Sequence, residues 1–130
     1  MALLDDPPKL TIYENTYRTE PEEDAEFRAY KVSALLKGML KDRLQGQSYD
    51  PVRGSQMSKQ LADDIRERVK AMGFDRHKLV VHVTIGERKC QTYSCCSRCL
   101  WDTTTDGFAS ESFQNETLFC SAQVFALYFE

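Results

Sequence analysis

Residues 90 to 102 read CQTYSCCSRCLWD and place four cysteines and the only tryptophan of the chain in thirteen positions. Thiols at this density could bind a metal ion, exchange electrons or act as nucleophiles. Cys96 and Cys99, with two residues between them, have the spacing of many zinc sites and of thioredoxin-like redox motifs. The same stretch could instead be a strand whose small side chains leave its backbone open to another chain.

The geometry of an extended strand argues against a metal centre. On a strand, residues three apart point to opposite faces, so the thiols of Cys96 and Cys99 would not meet at one ion. Cys95 and Cys99 share a face, but they would lie roughly 13 Å apart at about 3.3 Å per residue. We therefore expect no metal site and no cofactor.

Nucleophilic catalysis by a thiol needs a general base close to the sulfur. The two histidines, His77 and His82, fall at the start of a predicted strand and have no paired carboxylate in a matching motif. We therefore predict no catalytic residues. A small cysteine-dependent enzyme or redox protein using Cys95, Cys96 or Cys99 is the alternative from another functional class.

Small, weakly polar residues, among them Thr92, Ser94 and Ser97, fill this predicted strand. Their side chains would not screen the backbone. The strand therefore suits close approach of another extended chain, which would add to it through main-chain hydrogen bonds.

Composition indicates one domain. The chain has 130 residues, of which 42% are hydrophobic, and this is enough for one core. No apolar run approaches the roughly 18 residues of a membrane helix, and the first residues lack a signal-peptide pattern. Five cysteines, an odd number, without such a signal favour reduced thiols and a soluble, cytosolic protein.

Charge is divided unevenly along the chain, whose net charge is −3. Residues 1–24 carry seven acidic and two basic residues, which gives −5 and leaves +2 for the remainder. Since there is no basic stripe and no phosphate-binding loop, we expect no nucleic-acid partner, and no membrane association either. The acidic arm over residues 1–24 is predicted to be flexible and to precede one folded domain, residues 25–130.

Two amphipathic helices are predicted in the first half of that domain. Helical spacing of apolar residues predicts the first over residues 24–45, ending at Gly46. Asp50-Pro51 predicts a capped start of the second, and Gly73 a left-handed end with Phe74 folding back. The apolar stripes are Val32, Leu35, Leu36, Met39, Leu40 and Leu44 in the first helix and Met57, Leu61, Ile65, Val69 and Met72 in the second.

The second half alternates with period two and predicts four antiparallel strands, over residues 79–85, 91–101, 107–114 and 117–129. Asp106-Gly107 is a hairpin signal, and Asn115-Glu116 predicts a turn. The fold class is therefore α+β, with two helices packed on a four-stranded antiparallel sheet in the order ααββββ. Both faces of the last strand are apolar, and only one can lie under the helices. The other predicts a dimer whose sheets pack face to face.

Several motifs together resemble the Tctex-type dynein light chain family over roughly residues 25–130. They are Ser97-Arg98-Cys99-Leu100-Trp101-Asp102, Thr105-Asp106-Gly107, Asn115-Glu116-Thr117-Leu118-Phe119-Cys120 and Val124-Phe125. Within the family, residues 14–18, 49–53 and 78–81 are similar to the branch that contains the axonemal outer-arm light chain and its ciliary relatives.

The resemblance implies a non-catalytic subunit of a dynein motor, in the form of a strand-swapped dimer. It implies three kinds of partner: a dynein intermediate chain, a second Tctex-type light chain or a second copy of this chain, and other dynein light chains of the complex. The implied location is the cytoplasm and cytoskeleton, including the axoneme of cilia or flagella. A general cargo adaptor using the same sheet edge is the alternative within the binding class.

In that family the second strand is exchanged between protomers, and its exposed edge pairs with an extended segment of the intermediate chain. The resemblance therefore implies a peptide-binding and dimer edge strand. Its residues are Gln91, Thr92, Tyr93, Ser94, Cys95, Cys96, Ser97, Arg98, Cys99 and Leu100.

Overall fold

The computed structural model describes residue 21 and residues 26–74, 76–88 and 94–129. They form two helices, α1 (Ala29–Leu44) and α2 (Pro51–Lys70), and then three strands, β1 (His77–Glu87), β2 (Gly107–Gln114) and β3 (Leu118–Tyr128). The α+β class and the helix-first order are as predicted. Neither helix in the described part of the chain is long and apolar enough to cross a membrane. The predicted arm lies outside the described residues except for Pro21.

Helix α1 is shorter at its start than predicted. It begins at Ala29 rather than near residue 24, and Arg28 before it has an extended backbone. The reason is a tertiary contact: the ring of Phe27 packs 5.1 Å from that of Phe74. A Cβ at Gly107 would come within 2.7 Å of the same ring, so Phe27 also lies against the start of β2. The predicted stripe of α1 is confirmed, with Val32, Leu36, Met39, Leu40 and Leu44 buried.

Both ends of helix α2 follow from local sequence. The Asp50 carboxylate accepts hydrogen bonds from the backbone N–H groups of Val52 (2.9 Å) and Arg53 (3.4 Å), and Pro51 occupies the first turn. At the other end, Gly73 has a φ of +88°, the left-handed conformation that glycine adopts without steric cost. The predicted cap, proline and glycine stop are confirmed.

The three strands form one antiparallel sheet in the order β1-β3-β2. β3 lies in the centre, with Val124 paired to Val81 of β1 and to Ala109 of β2. Because β2 pairs only with β3 among the described strands, Asp106-Gly107 is not the hairpin turn that the sequence suggests. The dipeptide instead starts β2, whereas Asn115-Glu116 does join β2 to β3 as predicted.

The second predicted strand, over residues 91–101, is not formed in this single chain. Residues 94–101 pair with no other strand, and residues 91–93 lie outside the described part. The physical reason is that β1 and β2 occupy both edges of β3. Residues 94–101 lie over the sheet instead, where there is no free ladder next to β3 for them to join. The four-stranded sheet and the strand exchange stay predictions.

The core lies between one face of the sheet and the two helices. α1 packs mainly on β2 and α2 on β1, so that β3 runs beneath both. One face of β3 is completely covered, as its apolar alternation predicts. The buried residues of that face are Leu118, Cys120, Ala122, Val124 and Ala126. The opposite face, here termed the outer face, carries no helix.

Candidate functional site

Residues 94–101, termed the crossing segment, pass over the outer face of the sheet. Gln123 and Phe125 project from that face because they alternate with the buried residues of β3. The side-chain amide of Gln123 donates to the Cys95 Sγ at 3.8 Å. The ring of Trp101 lies 6.2 Å from that of Phe125. These two contacts fix both ends of the crossing segment above β3.

An aromatic cluster holds the end of the crossing segment. Phe108 of β2 lies opposite Phe125 in the strand register, with ring centroids 6.1 Å apart. Trp101 covers both, 6.4 Å from Phe108. Val80 of β1 lies on the other side of Phe125, and Val80 and Phe108 are each 52% exposed. Together with Leu127, these residues form a half-exposed surface, termed the apolar row.

A cleft of about 330 Å³ separates the crossing segment from the apolar row. Leu100 stands at its rim with 94% of its surface exposed, which is unusual for a large aliphatic side chain. The apolar floor would accept hydrophobic side chains of another chain. The lining residues are Val80, Ser97, Arg98, Cys99, Leu100, Trp101, Phe125 and Leu127.

The other half of the outer face is polar. In the strand register, Gln123 lies between His82 and Ser110, and Ser121 lies between Thr84 and Ser112. His82 is solvent-exposed. Hydroxyl and amide groups of this kind can accept and donate hydrogen bonds to an extended chain. A second cleft of about 370 Å³ is lined by Ser110, Ser112, Ser121 and Gln123 together with Arg88 and Cys95.

A compact turn over residues 102–106 positions Trp101. The Asp102 carboxylate accepts from the hydroxyl of Thr104 at 2.6 Å and from its backbone N–H at 2.9 Å. These hydrogen bonds, the side-chain one most of all, lower the pKa of Asp102. The Asp106 carboxylate accepts from the backbone N–H of Asp102 (3.0 Å) and of Tyr128 (2.7 Å). The turn is thereby tied to the end of β3.

The predicted edge strand is only partly within the described residues. Gln91, Thr92 and Tyr93 lie outside them, whereas all residues from Ser94 to Leu100 are exposed. The structure brings Cys95 to the polar cleft and residues 97–100 to the apolar cleft. No strand among the described residues pairs with the outer edge of β1 or β2.

The described thiols fall into two groups. Cys95, Cys96 and Cys99 are free and exposed, whereas Cys120 is 1% exposed under the helices. Burial raises the pKa of the Cys120 thiol to about 12, so this group is a packed apolar side chain and not a nucleophile. Within the described range, no group of three or more histidine, cysteine or acidic residues is arranged to hold a metal ion.

Sequence reasoning missed part of this site. The last strand was expected to leave one of its two apolar faces uncovered, but the contributions of Val80, Phe108 and Trp101 were not anticipated. The signal was available for Phe108, because alternation with buried Ala109 places it on the outer face. No local pattern indicates that Trp101 would fold back onto it.

Comparison with known proteins agrees with this architecture. The Tctex-1 family profile matches residues 26–127. Dynein light chain Tctex-type protein 2B of Danio rerio is 38% identical over 88% of this chain and 77% of its own length. Its Homo sapiens counterpart is 37% identical over 89% and 82%, and human dynein light chain Tctex-type 5 is 39% identical over 97% and 70%. These relatives are named as light chains of a motor protein and not as enzymes, and the chain belongs to the Tctex-1 family.

Proposed function

We propose that this chain is a non-catalytic dynein light chain that dimerises and holds an extended segment of a dynein intermediate chain by strand addition on residues 91–100. One observation carries the proposal. The described part of this segment, residues 94–100, is exposed and has no strand partner, although residues 97–100 line a cleft over the half-exposed apolar row.

Strand addition needs a sheet edge whose backbone N–H and C=O groups are unpaired. Because both edges of β3 are taken, the outer edges of β1 and β2 are the places where an exchanged segment from a second protomer can pair. The exchanged segment then presents its own free edge to the intermediate chain. Main-chain hydrogen bonds supply the affinity, and alternate side chains select the sequence.

Dimerisation has a separate support in the outer face. Val80 and Phe108 are each half exposed, and the cleft beneath Leu100 is apolar. Contiguous apolar surface of this kind is typical of protein interfaces. The second protomer is another copy of this chain or a different Tctex-type light chain. Two protomers would hold two intermediate-chain segments side by side, and binding of the first raises the effective concentration of the second.

The place of action that we propose is the axoneme of cilia or flagella. Its support is the similarity of residues 49–53 and 78–81 to the axonemal and ciliary branch of the family. Affinity purification from ciliated cells, followed by mass spectrometry, tests it. Recovery of an axonemal intermediate chain and other dynein light chains is expected. Recovery of non-dynein cargo alone would favour a general adaptor.

Alanine and proline substitutions test strand addition. Alanine at Ser94, Cys95 or Cys96 should change binding of an intermediate-chain peptide only modestly, because the backbone ladder survives. Proline removes an N–H donor and fixes φ. Where that N–H faces the peptide, affinity should fall several-fold to a hundredfold, on the order of 1–3 kcal/mol.

Proline where the N–H faces the neighbouring strand should weaken the dimer instead. The expected result is therefore an alternating phenotype from Ser94 to Ser97, measured by calorimetry for the peptide and by light scattering for the dimer. If alanine at the cysteines abolished binding while proline at the serines had no effect, the thiols would be the active groups and strand addition would be wrong.

A further inference from the structure

The exposure of three thiols is the feature that strand addition does not explain. Cysteine is among the residues most often buried in proteins. When a free cysteine has a role, that role usually depends on the reactivity of its thiol and less on its packing. Cys120 fits that rule, because it is almost fully buried. Cys95, Cys96 and Cys99 do not, since all three are exposed in the crossing segment.

The surroundings of the three thiols differ. The Cys95 sulfur accepts a hydrogen bond from Gln123 and lines the polar cleft, so it faces the sheet. Cys99 lines the rim of the apolar cleft beside Leu100. Cys96 lines neither of these two clefts. Cys96 and Cys99 are therefore the two exposed thiols that have no described contact to the polar half of the sheet.

The spacing of Cys96 and Cys99 prevents a disulfide when the segment is paired as a strand, but not when the segment is unpaired. In a strand their Cα atoms would be roughly 10 Å apart, at about 3.3 Å per residue, with side chains on opposite faces. A disulfide requires Cα atoms about 4.4–6.8 Å apart. A disulfide between them is thus incompatible with the strand, whereas residues 94–100 of the single chain have no ladder that would hold the two residues at that separation.

We infer that Cys96 and Cys99 form an oxidisable dithiol, and that its disulfide and the binding-competent strand exclude each other. The oxidant is a small-molecule disulfide of the glutathione class. One protein thiolate attacks it, which forms a mixed disulfide and releases one thiol. The second protein thiolate then displaces the other half as a second thiol. Two protein thiols lose two electrons, the small disulfide gains them, and the two protons leave with the released thiols.

This inference rests on the proposed function, because it treats residues 91–100 as the strand that dimerises. Oxidation acts on the free chain, in which the thiols are exposed, and traps it as a monomer. Assembly prevents the disulfide, because the strand holds the two Cα atoms too far apart. Reduction restores the chain to the pool that can dimerise.

The test uses the full chain with Cys90→Ser in every variant, because Cys90 lies outside the described residues. The protein is equilibrated with mixtures of reduced and oxidised glutathione. Disulfides are mapped by peptide mass spectrometry, and the dimer dissociation constant is measured by light scattering. We expect a Cys96–Cys99 disulfide, at least a tenfold rise in the dissociation constant, and full reversal by dithiothreitol.

Matched variants separate the possible outcomes. Cys96→Ser and Cys99→Ser should each abolish the rise of the dimer dissociation constant in oxidised glutathione, whereas Cys95→Ser should preserve that rise. Cys120 should stay reduced throughout as an internal control. Glutathione adducts alone, a disulfide mapped to Cys95, or an oxidised chain that dimerises like the reduced one would overturn the inference. A reduced chain that is already a monomer would instead contradict the proposed dimer, before any oxidant is added.

Discussion

The side-chain amide of Asn115 donates to the backbone carbonyl of Gln47 at 2.8 Å and so ties the turn between β2 and β3 to the end of helix α1. It also reaches the Leu44 carbonyl at 3.3 Å. Its oxygen accepts from the backbone N–H groups of Thr117 and Leu118, both at 2.9 Å. One side chain therefore closes the turn and joins the two layers of the domain.

Substitution of Asn115 should destabilise the domain. Asn115→Ala leaves four backbone groups without this partner, and we expect a loss of about 1–3 kcal/mol in the free energy of unfolding. Asn115→Asp keeps the acceptor but loses both donors and places a carboxylate beside two carbonyls, so its loss should be at least as large. Urea denaturation measures both. Gln114→Ala, at the exposed neighbouring position, should change stability by less than about 0.5 kcal/mol.

A side chain at Gly86 should be poorly tolerated. Gly86 of β1 lies opposite Phe119 of β3, and a Cβ at this position would overlap the Phe119 ring. Gly86→Ala should therefore cost about 1–3 kcal/mol, because the ring must leave its place. Gly38→Ala is the matched control: apart from the neighbouring residues and backbone of α1 itself, no atom lies within 4 Å of its added Cβ, so it should stabilise the domain by about 0.5–1 kcal/mol. Equal effects of the two substitutions would contradict the packing described.

Alkaline pH should destabilise the domain through Cys120. Its thiol has a pKa of about 12 in the fold against an ordinary value of 9.0, because burial disfavours the thiolate. The folded state holds the proton of the Cys120 thiol more tightly than the unfolded state does. The resulting contribution to the free energy of unfolding is complete below pH 9 and is lost as pH rises toward 12. Between pH 8 and pH 10 the loss should be about 1 kcal/mol.

The variant Cys120→Ala isolates this contribution from other groups that titrate at high pH. Its stability should be lower at pH 8 because of the cavity, but the difference from the original chain should shrink at pH 10. A constant difference across that range would show that the thiol does not titrate differently in the folded and unfolded chain.

Deletion of residues 1–20 should leave the melting temperature nearly unchanged, since this acidic segment is poor in periodic apolar residues. Phe27→Ala is the contrasting variant, because its ring packs on Phe74 and against Gly107. It should lower the free energy of unfolding by about 1–3 kcal/mol. Thermal melts followed by circular dichroism compare the two. A large loss on deletion would mean that the arm packs on the folded domain.

Local signals determined how well the sequence predicted each element. Both ends of helix α2 were predicted, because Asp50, Pro51 and Gly73 act on backbone groups within one helical turn of themselves. The start of α1 was predicted too early, since Phe27 leaves the helix for a contact with Phe74, 47 residues away along the chain. Periodicity cannot detect a contact of that kind.

In the candidate site too, features set by local sequence were predicted and features set by long-range contacts were not. Alternation predicted that β3 leaves one apolar face outside the helices, and in the structure that face carries Phe125. The conformation of residues 94–101 depends on which strand edges of the sheet are free. Strand order determines which edges those are. Strand order is set by long-range pairing, which short sequence patterns do not encode. The cluster of Trp101 with Phe108 follows from the same path over the sheet.

The central position of β3 has a consequence for synthesis on the ribosome. β1 and β2 each pair only with β3 among the described strands, and β3 follows both along the chain. During translation, both helices and two strands emerge before any pair of these strands can form a ladder. Nascent chains of this fold therefore expose the unpaired edges of β1 and β2 until β3 has left the exit tunnel, and unpaired strand edges are prone to aggregation.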